Sequence, residues 1–466
     1  MATLLDYLPV NWAQAISVDT IWETEVSVSY TGEVEERVQG RTIPHRVLNF
    51  QRLTLSPQQV LQLLRTIMSS GDTQLKIPLY PDAVELSSDY TSGGTTLFGT
   101  FQYRRFSTGK PALIVTRSGQ VWEEVTVVSV NDTQMSISSL GNDYPAGSYV
   151  FPLLSCDYVL DQQAAQVLTD GIVRNQLTFR ETIDGDTLLP PYQETGYNAP
   201  FAEFDGLPVF PRAPSYNAGF RFQVGRRGDQ FTSGRGRVTV DRAFNARFLW
   251  SCPLRLLSRE SWDEVMSFFS GRRGRLLPFY VVLPLSVWTV LSVVSGQVDV
   301  VAHDDVNTFS LLGNLGVVGP GGAVHVTTIS NISDLGNGTW RLSIAEDLPS
   351  GWDENSIRFA SAAVKARFSR DSIREVWDTT EYPRLTLEFE SVFADQDLSS
   401  TVIGDSTGTS GGGQVFTGRT GDLPKGGGQV FSSYTSDSQQ GGGQVFWALA
   451  RLAQSGAGSQ VFEGET

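Results

Sequence analysis

Two stretches of the chain, about 200 residues apart, show the same succession of apolar and polar positions. Each begins with a Leu-Pro-Val lead, at 8–10 and at 207–209. Alternating residues around a glycine-containing turn then follow, from Trp22 in the first stretch and from Gly219 in the second. Alternation with period two around such a turn predicts β-hairpins. The shared order of signals predicts two copies of one module.

A helical pattern follows the hairpin in each copy. A strand ending in Leu-Ser places Ser56 and Ser258 at N-cap positions, and Gly71 and Gly271 stand where the patterns end. Apolar residues recur with helical spacing at 60, 61, 64, 67 and 68 in the first copy, and at 262, 265, 266 and 269 in the second. This spacing predicts, in each copy, a helix that lies on a sheet with one apolar stripe.

After the helix, the copies resume with "IPLY" at 77–80 and "LPFY" at 277–280. Short strands and turns continue for about 100 residues, and each copy closes on an alternating strand, "NQLTFRETI" at 175–183 and "RLTLEFESVF" at 384–393. The expected fold class is mainly β: a β-sandwich or barrel carrying one helix, with a small β-barrel inserted before the last strand. This unit occurs as two tandem copies with an extended C-terminal tail.

Stretches rich in proline and glycine, which are typical of turns and loops, indicate further boundaries along the chain. The expected organisation is a first module at 1–183 with its inserted barrel at about 82–173, a linker at 184–206, a second module at 207–393 with its inserted barrel at about 284–383, and a Gly-rich tail at 394–466. A chain of 466 residues exceeds a comfortable single core, which agrees with several domains.

Composition excludes some classes of function. A formal net charge of -15 argues against a nucleic-acid partner, because phosphate contacts need clustered Lys and Arg. The most apolar stretch, at 276–294, is interrupted by Pro278 and Pro284, so it predicts buried strands and no membrane insertion. The first residues lack the basic and apolar segments of a secretory signal.

Candidate chemistry is sparse. Cys156 and Cys252 are expected to be buried small hydrophobic residues, and they could form at most one bridge. His45, His303 and His325 have no metal-like spacing; His45 is expected at a surface or sheet position, and "HDD" at 303–305 in a hairpin turn. We expect no catalytic, cofactor-binding or metal residues, although a hydrolase with a carboxylate pair stays open among 50 Asp and Glu residues.

One run of basic residues stands out from the acidic background. It comprises "GRRGDQF" at 225–231 together with Arg235, Arg237, Arg242 and Arg247. A solvated hairpin face is one interpretation, and pairing with an acidic neighbour in a ring is another. The Arg-Gly-Asp triplet at 227–229 is interpreted as a coincidence.

The order of hairpin, capped helix, Pro-containing strand and closing strand resembles the distal tail and minor tail proteins of long-tailed bacteriophages, including the lambda-like ones. The resemblance covers about a third of the chain, at 22–81 with 174–183 and at 219–283 with 384–393. It implies a non-enzymatic virion protein at the tail tip or baseplate, assembled in the cytoplasm of a bacterial host.

The resemblance also implies a homo-oligomeric ring where the tail tube meets the hub and fibres. Two copies per chain offer a route from six-fold to three-fold symmetry, because three chains would supply six similar domains. Six chains would supply twelve, as an inner ring with an outer flange. The sequence leaves the choice between trimer and hexamer open.

The C-terminal tail repeats one motif. "GGGQVF" occupies 411–416, 426–431 and 441–446, and "GSQVF" follows at 458–462. Extended glycine-flanked peptides with an aromatic anchor suit addition of a strand to a sheet edge. The expected partner-binding residues are Gln414, Val415, Phe416, Gln429, Val430, Phe431, Gln444, Val445, Phe446, Gln460, Val461 and Phe462. Fifteen extended residues reach at most about 50 Å, so equivalent docking sites would lie within that distance.

These repeats predict tethering of fibre or adaptor proteins, with a low-complexity linker produced by slippage as the alternative. A short amphipathic helix is expected at 447–454 between two motifs. A different function also stays open: a receptor- or carbohydrate-binding tail protein whose inserted barrels stack exposed aromatic side chains on sugars.

Overall fold

Antiparallel β-ladders form most of the structure, a computed structural model of the protein. It describes residues 3–4, 15–28, 35–40, 44–55, 58, 61, 65, 75–159, 166–169, 172–182, 200–213, 221–225, 228–233, 236–241, 247–283, 288–301, 313–392 and 398–401. The mainly β class predicted from the sequence is confirmed.

The first half contains fourteen described strands and a 3₁₀ turn at Tyr80–Asp82. The strands are β1 (Thr3–Leu4), β2 (Ile16–Ile21), β3 (Thr24–Val28), β4 (Glu35–Gln39), β5 (His45–Leu55), β6 (Leu75–Pro78), β7 (Val84–Glu85), β8 (Thr96–Phe98), β9 (Pro111–Val115), β10 (Trp122–Val130), β11 (Gln134–Ile137), β12 (Tyr149–Tyr158), β13 (Gln166–Thr169) and β14 (Ile172–Glu181).

The second half contains a helix, α1 (Arg259–Gly271), and a 3₁₀ turn at Pro320–Gly322. Its strands are β15 (Glu203–Phe204), β16 (Leu207–Pro208), β17 (Arg221–Gly225), β18 (Gly228–Ser233), β19 (Gly236–Asp241), β20 (Arg247–Arg255), β21 (Phe279–Val282), β22 (Thr289–Val294), β23 (Gln297–Val301), β24 (Asn314–Val318), β25 (Val324–Gly336), β26 (Thr339–Ile344), β27 (Phe359–Phe368), β28 (Ser372–Trp377), β29 (Pro383–Ser391) and β30 (Leu398–Thr401).

The two halves follow the same pairing order. In the first half the main sheet runs β6–β12–β14–β5–β2, and in the second it runs β21–β27–β29–β20–β17. The hairpin β3–β4 in the first half has its counterpart in β18–β19, and β13–β14 has its counterpart in β28–β29. Each half therefore builds the same sheet from strands in the same chain order.

Each main sheet continues into a small insertion through one long strand. In β12, residues 149–152 pair with β9 and residues 153–156 pair with β6; in β27, residues 359–362 pair with β24 and residues 363–366 pair with β21. The insertions then run β9–β10–β11–β8 and β24–β25–β26–β23.

Each insertion has a hydrophobic core of its own. Buried residues at matching ladder positions fill the two cores: Leu97, Ile114 and Met135 in the first, and Val298, Val317 and Leu342 in the second. The expected insertion ranges, 82–173 and 284–383, extend too far, because β28 pairs with the sheet strand β29. The insertions end inside β12 and β27, where pairing passes to the main sheet.

The two halves join edge to edge. Strand β2 of the first half pairs with β28 of the second, so the two main sheets are continuous. A hydrophobic core shared by both halves lies against this sheet and includes Phe50, Phe179, Trp250 and Phe389. The predicted division at a linker is therefore not a break in packing.

The segment 200–206, expected to belong to a linker, is ordered against the second half. Phe204 in β15 packs edge-to-face on Tyr280, and Phe201 packs in the same way on Phe268 of α1. Aromatic burial fixes this stretch despite its Pro- and Gly-rich surroundings. The rest of the expected linker lies outside the described residues.

Helix α1 begins where the sequence predicts. The Ser258 hydroxyl accepts a hydrogen bond from the Ser261 backbone N–H at 3.1 Å, and Gly271 is the last helical residue. Trp262, Val265, Met266 and Phe269 are buried as expected, but the other faces are buried too, at Asp263, Glu264, Ser267 and Phe268. The predicted one-sided stripe is wrong, because Phe201 and Phe210 of the segment 200–213 also pack on Phe268, which lies outside the stripe.

The alignment of "IPLY" with "LPFY" is wrong by four residues. Leu75 pairs with Cys156 in the first half, and Phe279 pairs with Ala366 at the matching place in the second. Residues 77–78 therefore match 281–282. Proline misled the alignment, because Pro78 ends β6 whereas Pro278 precedes β21.

The tail begins later than 394. Strand β30 pairs in parallel with β4, Leu398 lying opposite Glu35. A backbone ladder of four residues needs no apolar side chains, which is why composition did not reveal it. Residues 1–405 form one compact unit and residues 406–466 a second, and the second lies outside the described residues.

The first predicted helix lies mostly outside the described residues. Within it Gln58, Leu61 and Arg65 are helical and exposed. The stretch 276–294 forms β21 and β22, apart from residues 284–287, which are not described; β21 is buried as predicted, whereas half of the residues of β22 are exposed. Among the helices of the described chain, none is long and apolar enough to cross a membrane.

Candidate functional site: the junction between the two halves

The junction is a six-residue antiparallel ladder between β2 and β28, in which Ser17 lies opposite Val376. Asp19 and Arg374 face each other across it, and the guanidinium donates two hydrogen bonds to the carboxylate, at 2.7 and 2.8 Å. A two-point contact of this kind fixes register as well as proximity. A slip by one residue would break it and turn every side chain to the opposite face.

A network of buried charges lies behind one end of the ladder. Asp82, in the 3₁₀ turn of the first half, accepts a hydrogen bond from Arg259 of α1 at 2.6 Å. Arg105 of the first insertion lies 3.3 Å from Asp82 and 2.6 Å from Glu375 of β28. Each arginine and each carboxylate thus helps to connect one half of the chain to the other.

Further polar contacts complete this network. Arg259 donates to the Thr380 carbonyl oxygen at 2.7 Å and also to the carbonyl of Pro81. Arg104 donates to the Ala83 carbonyl at 2.6 Å and pairs with Glu381 at 2.5 Å. Arg104 therefore ties a loop of the first insertion to the turn after β28.

Two tryptophans enclose the network. The indole N–H groups of Trp262 and Trp377 both donate to Glu375, at 3.2 and 3.0 Å. The Arg259 guanidinium lies 4.2 Å from the centre of a Trp377 ring, and that of Arg105 lies 4.7 Å from a Trp262 ring. Cation–π contacts of this kind strengthen when water is excluded.

Burial controls the ionisation of these groups. Asp82 and Glu375 are completely buried, and Arg105 and Arg259 are 3% and 6% exposed. Burial alone would raise the pKa of Asp82, but Arg105, Arg259 and Arg104 together hold that pKa below its usual value. Burial lowers the pKa of Arg259 to about 10, against the opposing effect of Asp82. Asp82 and Arg259 are therefore both charged near neutral pH.

A second polar cluster fastens the other end of the ladder. The Asp371 carboxylate accepts hydrogen bonds from the backbone N–H and the hydroxyl of Thr24, both at 2.8 Å. Arg275 pairs with the same carboxylate at 2.9 Å, and the Trp22 N–H donates to the Asp371 carbonyl at 2.7 Å. Thr24 and Trp22 belong to the first half, whereas Asp371 and Arg275 belong to the second.

This cluster requires a tight loop after α1. Gly274 has a φ of 64°, and a β-carbon at that position would lie 2.8 Å from an Asp371 carboxylate oxygen. Glycine both adopts this conformation without strain and leaves room for the carboxylate. Arg37 of β4 adds a hydrogen bond to the Arg275 carbonyl at 2.8 Å.

The contacts at the junction hold the two halves of the chain together. The carboxylates of Asp82 and Glu375 are paired with arginines and completely buried. Breaking a buried pair of this kind is strongly destabilising, because it leaves an uncompensated charge away from water. The junction therefore holds the two halves in one orientation.

The residues predicted to bind partners are not among those that the structure describes. All twelve positions in the repeats, from Gln414 to Phe462, fall outside the described residues, as does the expected helix at 447–454. The basic run is only partly described: residues 228–231 and Arg237 lie in the hairpin β18–β19, and Arg247 begins β20.

The cysteine prediction is confirmed. Cys156 and Cys252 are both buried and unbridged, in β12 and β20, and burial raises the pKa of the Cys156 thiol well above its usual value. His45 is in a sheet, as expected, and buried. His325 lies near Trp352, and burial lowers its pKa. His303 falls outside the described residues, among which no group of three or more His, Cys, Asp or Glu side chains could hold a metal ion.

Sequence reasoning missed the junction residues. Two signals pointed to them: Arg259 stands in the first turn of a helix, where the helix dipole disfavours a cation, and Arg104 and Arg105 stand between Tyr103 and Phe106. Charges in such places need compensating partners. Those partners are distant in sequence, so the pattern alone does not identify them.

No protein-family model matches the chain, and no curated protein matches it either.

Proposed function

We propose that this protein is a non-enzymatic structural subunit of the tail tip or baseplate of a long-tailed bacteriophage. In this proposal it forms a homo-oligomeric ring, a trimer or a hexamer, that joins the tail tube to the hub. Its C-terminal repeats tether fibre or adaptor proteins. The observation that carries the proposal is the edge-to-edge joining of two halves with one pairing order.

A tandem duplicate of one β-sandwich with an inserted barrel accounts for that observation. The ladders agree in detail, since a bulge interrupts β10–β11 between Val127 and Ser129, and another interrupts β25–β26 between Ile329 and Asn331. Bulges at matching places are a specific feature of a fold. They support common descent of the halves more strongly than the faint identity of their sequences.

Edge-to-edge joining suits a ring. A contact that joins unlike edges of similar modules is heterologous, and such contacts close into rings when the rotation between modules permits. Two modules per chain then give six modules from three chains, or twelve from six. The fastened junction would make each pair of modules one rigid building block.

The position of β30 supports the tethering part of the proposal. The last described strand, β30, pairs with β4 at the edge of the β3–β4 hairpin, and the first repeat begins ten residues after Thr401 in the sequence. Four linked weak sites raise the joint affinity by about 10² to 10⁴ without stronger individual contacts.

Electron microscopy and mass measurement of the purified full chain test the ring. We expect closed rings with a central channel and a mass equal to three or six chains. A chain that stays monomeric at high concentration would exclude a ring formed by this protein alone. Mass spectrometry of virions from the source provides the test of the virion assignment, and absence of the chain from those particles would refute it.

A carbohydrate-binding tail protein is the second candidate, and exposed aromatic side chains favour it. Phe98 and Trp122, both in the first insertion, are 50% and 38% exposed. Exposed aromatic rings stack readily on sugars. Binding on a glycan array that is lost in Trp122→Ala would support this alternative, and an array without signal would argue against it.

A further inference from the structure

The two strands of the junction, β2 and β28, each have a counterpart strand in the other half of the chain, and neither counterpart takes part in the junction. The register of the ladders shows that β17 is the counterpart of β2. Val18 of β2 pairs with Leu48, and Phe222 of β17 pairs with Trp250, which is the counterpart of Leu48 in the second half. The registers match the end of β28 with the start of β13, since Trp377 pairs with Pro383 and Val167 pairs with Val173; the positions that match 372–375 fall outside the described residues.

In the part of the chain that the structure describes, these counterparts lie at sheet edges. Among the described residues, β17 pairs with β20 alone and β13 pairs with β14 alone. Ser17 and Asp19, which β28 covers, are buried, whereas Arg221 and Gln223 at the matching places in β17 are exposed. An open edge strand offers a row of unpaired backbone groups to another strand.

We propose that β17 of one chain pairs with the start of β13 of a second copy, so that Arg221 and Gln166 meet between chains as Ser17 and Val376 meet within the chain. The inference rests on the proposed ring-forming function and identifies its interface. Because the two edges differ, each chain would bind one neighbour through β17 and another through β13. Such a head-to-tail contact extends until the ring closes.

The internal ladder also predicts the register between chains. Ser17 lies opposite Val376, and the matching positions are Arg221 in β17 and Gln166 in β13. Arg221 of one chain should therefore lie opposite Gln166 of the next.

The contact between chains should be weaker than the junction within each chain. Gln223 in β17 is the counterpart of Asp19, which forms an ion pair across the junction. Val167 in β13 is the counterpart of Trp377, which encloses the charge network. The contact between β17 and β13 would have backbone hydrogen bonds but would lack the ion pair and the tryptophan contacts of the junction. This difference lets the chain fold first and assemble afterwards.

The backbone hydrogen bonds of the β2–β28 ladder indicate where a disulfide bond could test the contact between chains. The Trp22 N–H donates to Asp371 across the junction, and donors alternate along a strand, so Ser17 points its backbone groups away from β28. Ser17 and Val376 therefore form a non-hydrogen-bonded pair, whose Cα atoms lie about 4.5 Å apart. That spacing permits a disulfide bond.

The experiment uses Arg221→Cys and Gln166→Cys in the full chain. Mixing the two single variants under mild oxidation should give a covalent dimer, and the double variant should give a ladder of covalent oligomers. Neither single variant alone should cross-link, because the contact joins unlike edges. The native cysteines are buried and should not interfere.

The matched control is Gln223→Cys mixed with Gln166→Cys, which is two residues out of register and should cross-link at least tenfold more slowly. Equal cross-linking of both pairs, or cross-linking of Arg221→Cys with itself, would overturn the proposed contact. If the wild-type chain forms rings while the matched pair fails to cross-link, the contact is wrong and the ring function survives. A monomeric wild-type chain would refute both.

Discussion

Arg105 of the first half donates a hydrogen bond to Glu375 of the second half at 2.6 Å, and both side chains lie in the interior. The two residues are 270 positions apart in the sequence. Neither charge can be left alone without a large penalty, so each half provides what the other half needs to fold. The junction is thus a condition for folding as well as a contact.

Glu375→Gln should destabilise the chain by about 3 kcal/mol, because it removes the nearer of the two carboxylates that face the buried Arg105, while Asp82 still compensates part of its charge. Urea unfolding followed by tryptophan fluorescence would measure the change. Arg370→Ala is the matched control: it breaks the exposed Arg370–Glu388 pair, and it should cost about 1 kcal/mol or less. A similar cost for both variants would contradict a special role for the buried network.

Acid should weaken the junction through Asp82. The pKa of this carboxyl lies below its ordinary value of 3.8 in the folded chain, so the unfolded chain binds a proton first as the pH falls. The stabilisation is therefore complete above about pH 4 and is lost as the pH falls through the folded pKa. Arg259, with a pKa of about 10, stays charged throughout this range.

Asp82→Asn tests this assignment. At pH 7 the variant should be clearly less stable than wild type, and the difference should shrink below pH 3.8, where the wild-type carboxyl also becomes neutral in the unfolded chain. Denaturant titrations at several pH values would show it. A difference that stays constant or grows in acid would assign the acid sensitivity to other groups.

Local signals predicted local structure well. The N-cap at Ser258, the hairpins β3–β4 and β18–β19, and the last strands of both halves all depend on neighbours within a few residues. The junction could not be predicted in this way. Residues 372–377 alternate like any half-buried strand, but their partner β2 lies more than 350 positions away, and hydrophobic periodicity carries no information about which strand pairs with which.

The same limit explains the error in the alignment of the two copies. A proline indicates the end of a strand only to within a few residues. The pairing of Phe279 with Ala366, in contrast, defines which residues of the two copies correspond. It also explains why α1 was expected to have a solvent-facing side, since Phe201 and Phe210 cover it from a segment about 50 residues upstream.

Gly274→Ala should loosen the Asp371 cluster. A non-glycine residue with a left-handed backbone costs about 1–2 kcal/mol, and the added methyl group would also press on the Asp371 carboxylate. The matched control is Gly271→Ala, where a β-carbon would meet no atom within 4 Å. Thermal unfolding should show a lower midpoint for Gly274→Ala and an unchanged or slightly higher one for Gly271→Ala; equal midpoints would contradict the role of the loop.

Both native cysteines should resist thiol reagents in the folded chain. Cys156 and Cys252 are buried, and the raised pKa of Cys156 keeps that thiol protonated. Labelling with a maleimide should proceed only after denaturation, as measured by mass spectrometry. Val128→Cys, at a position that is 57% exposed, provides the positive control and should label at once. Rapid labelling of the native wild-type chain would show that the core opens easily.

The C-terminal repeats should act together. Replacing one of Phe416, Phe431, Phe446 and Phe462 with alanine should reduce retention of fibre or adaptor proteins only slightly, because the other three motifs keep the partner close. Replacing all four should release the partner as completely as deletion of 406–466, which leaves β30 in place. Counting fibres on purified particles by electron microscopy measures retention, and Ser410→Ala with Gln440→Ala, outside the motifs, is the control. If the four-fold variant keeps its fibres, the repeats are a linker and the tether lies elsewhere.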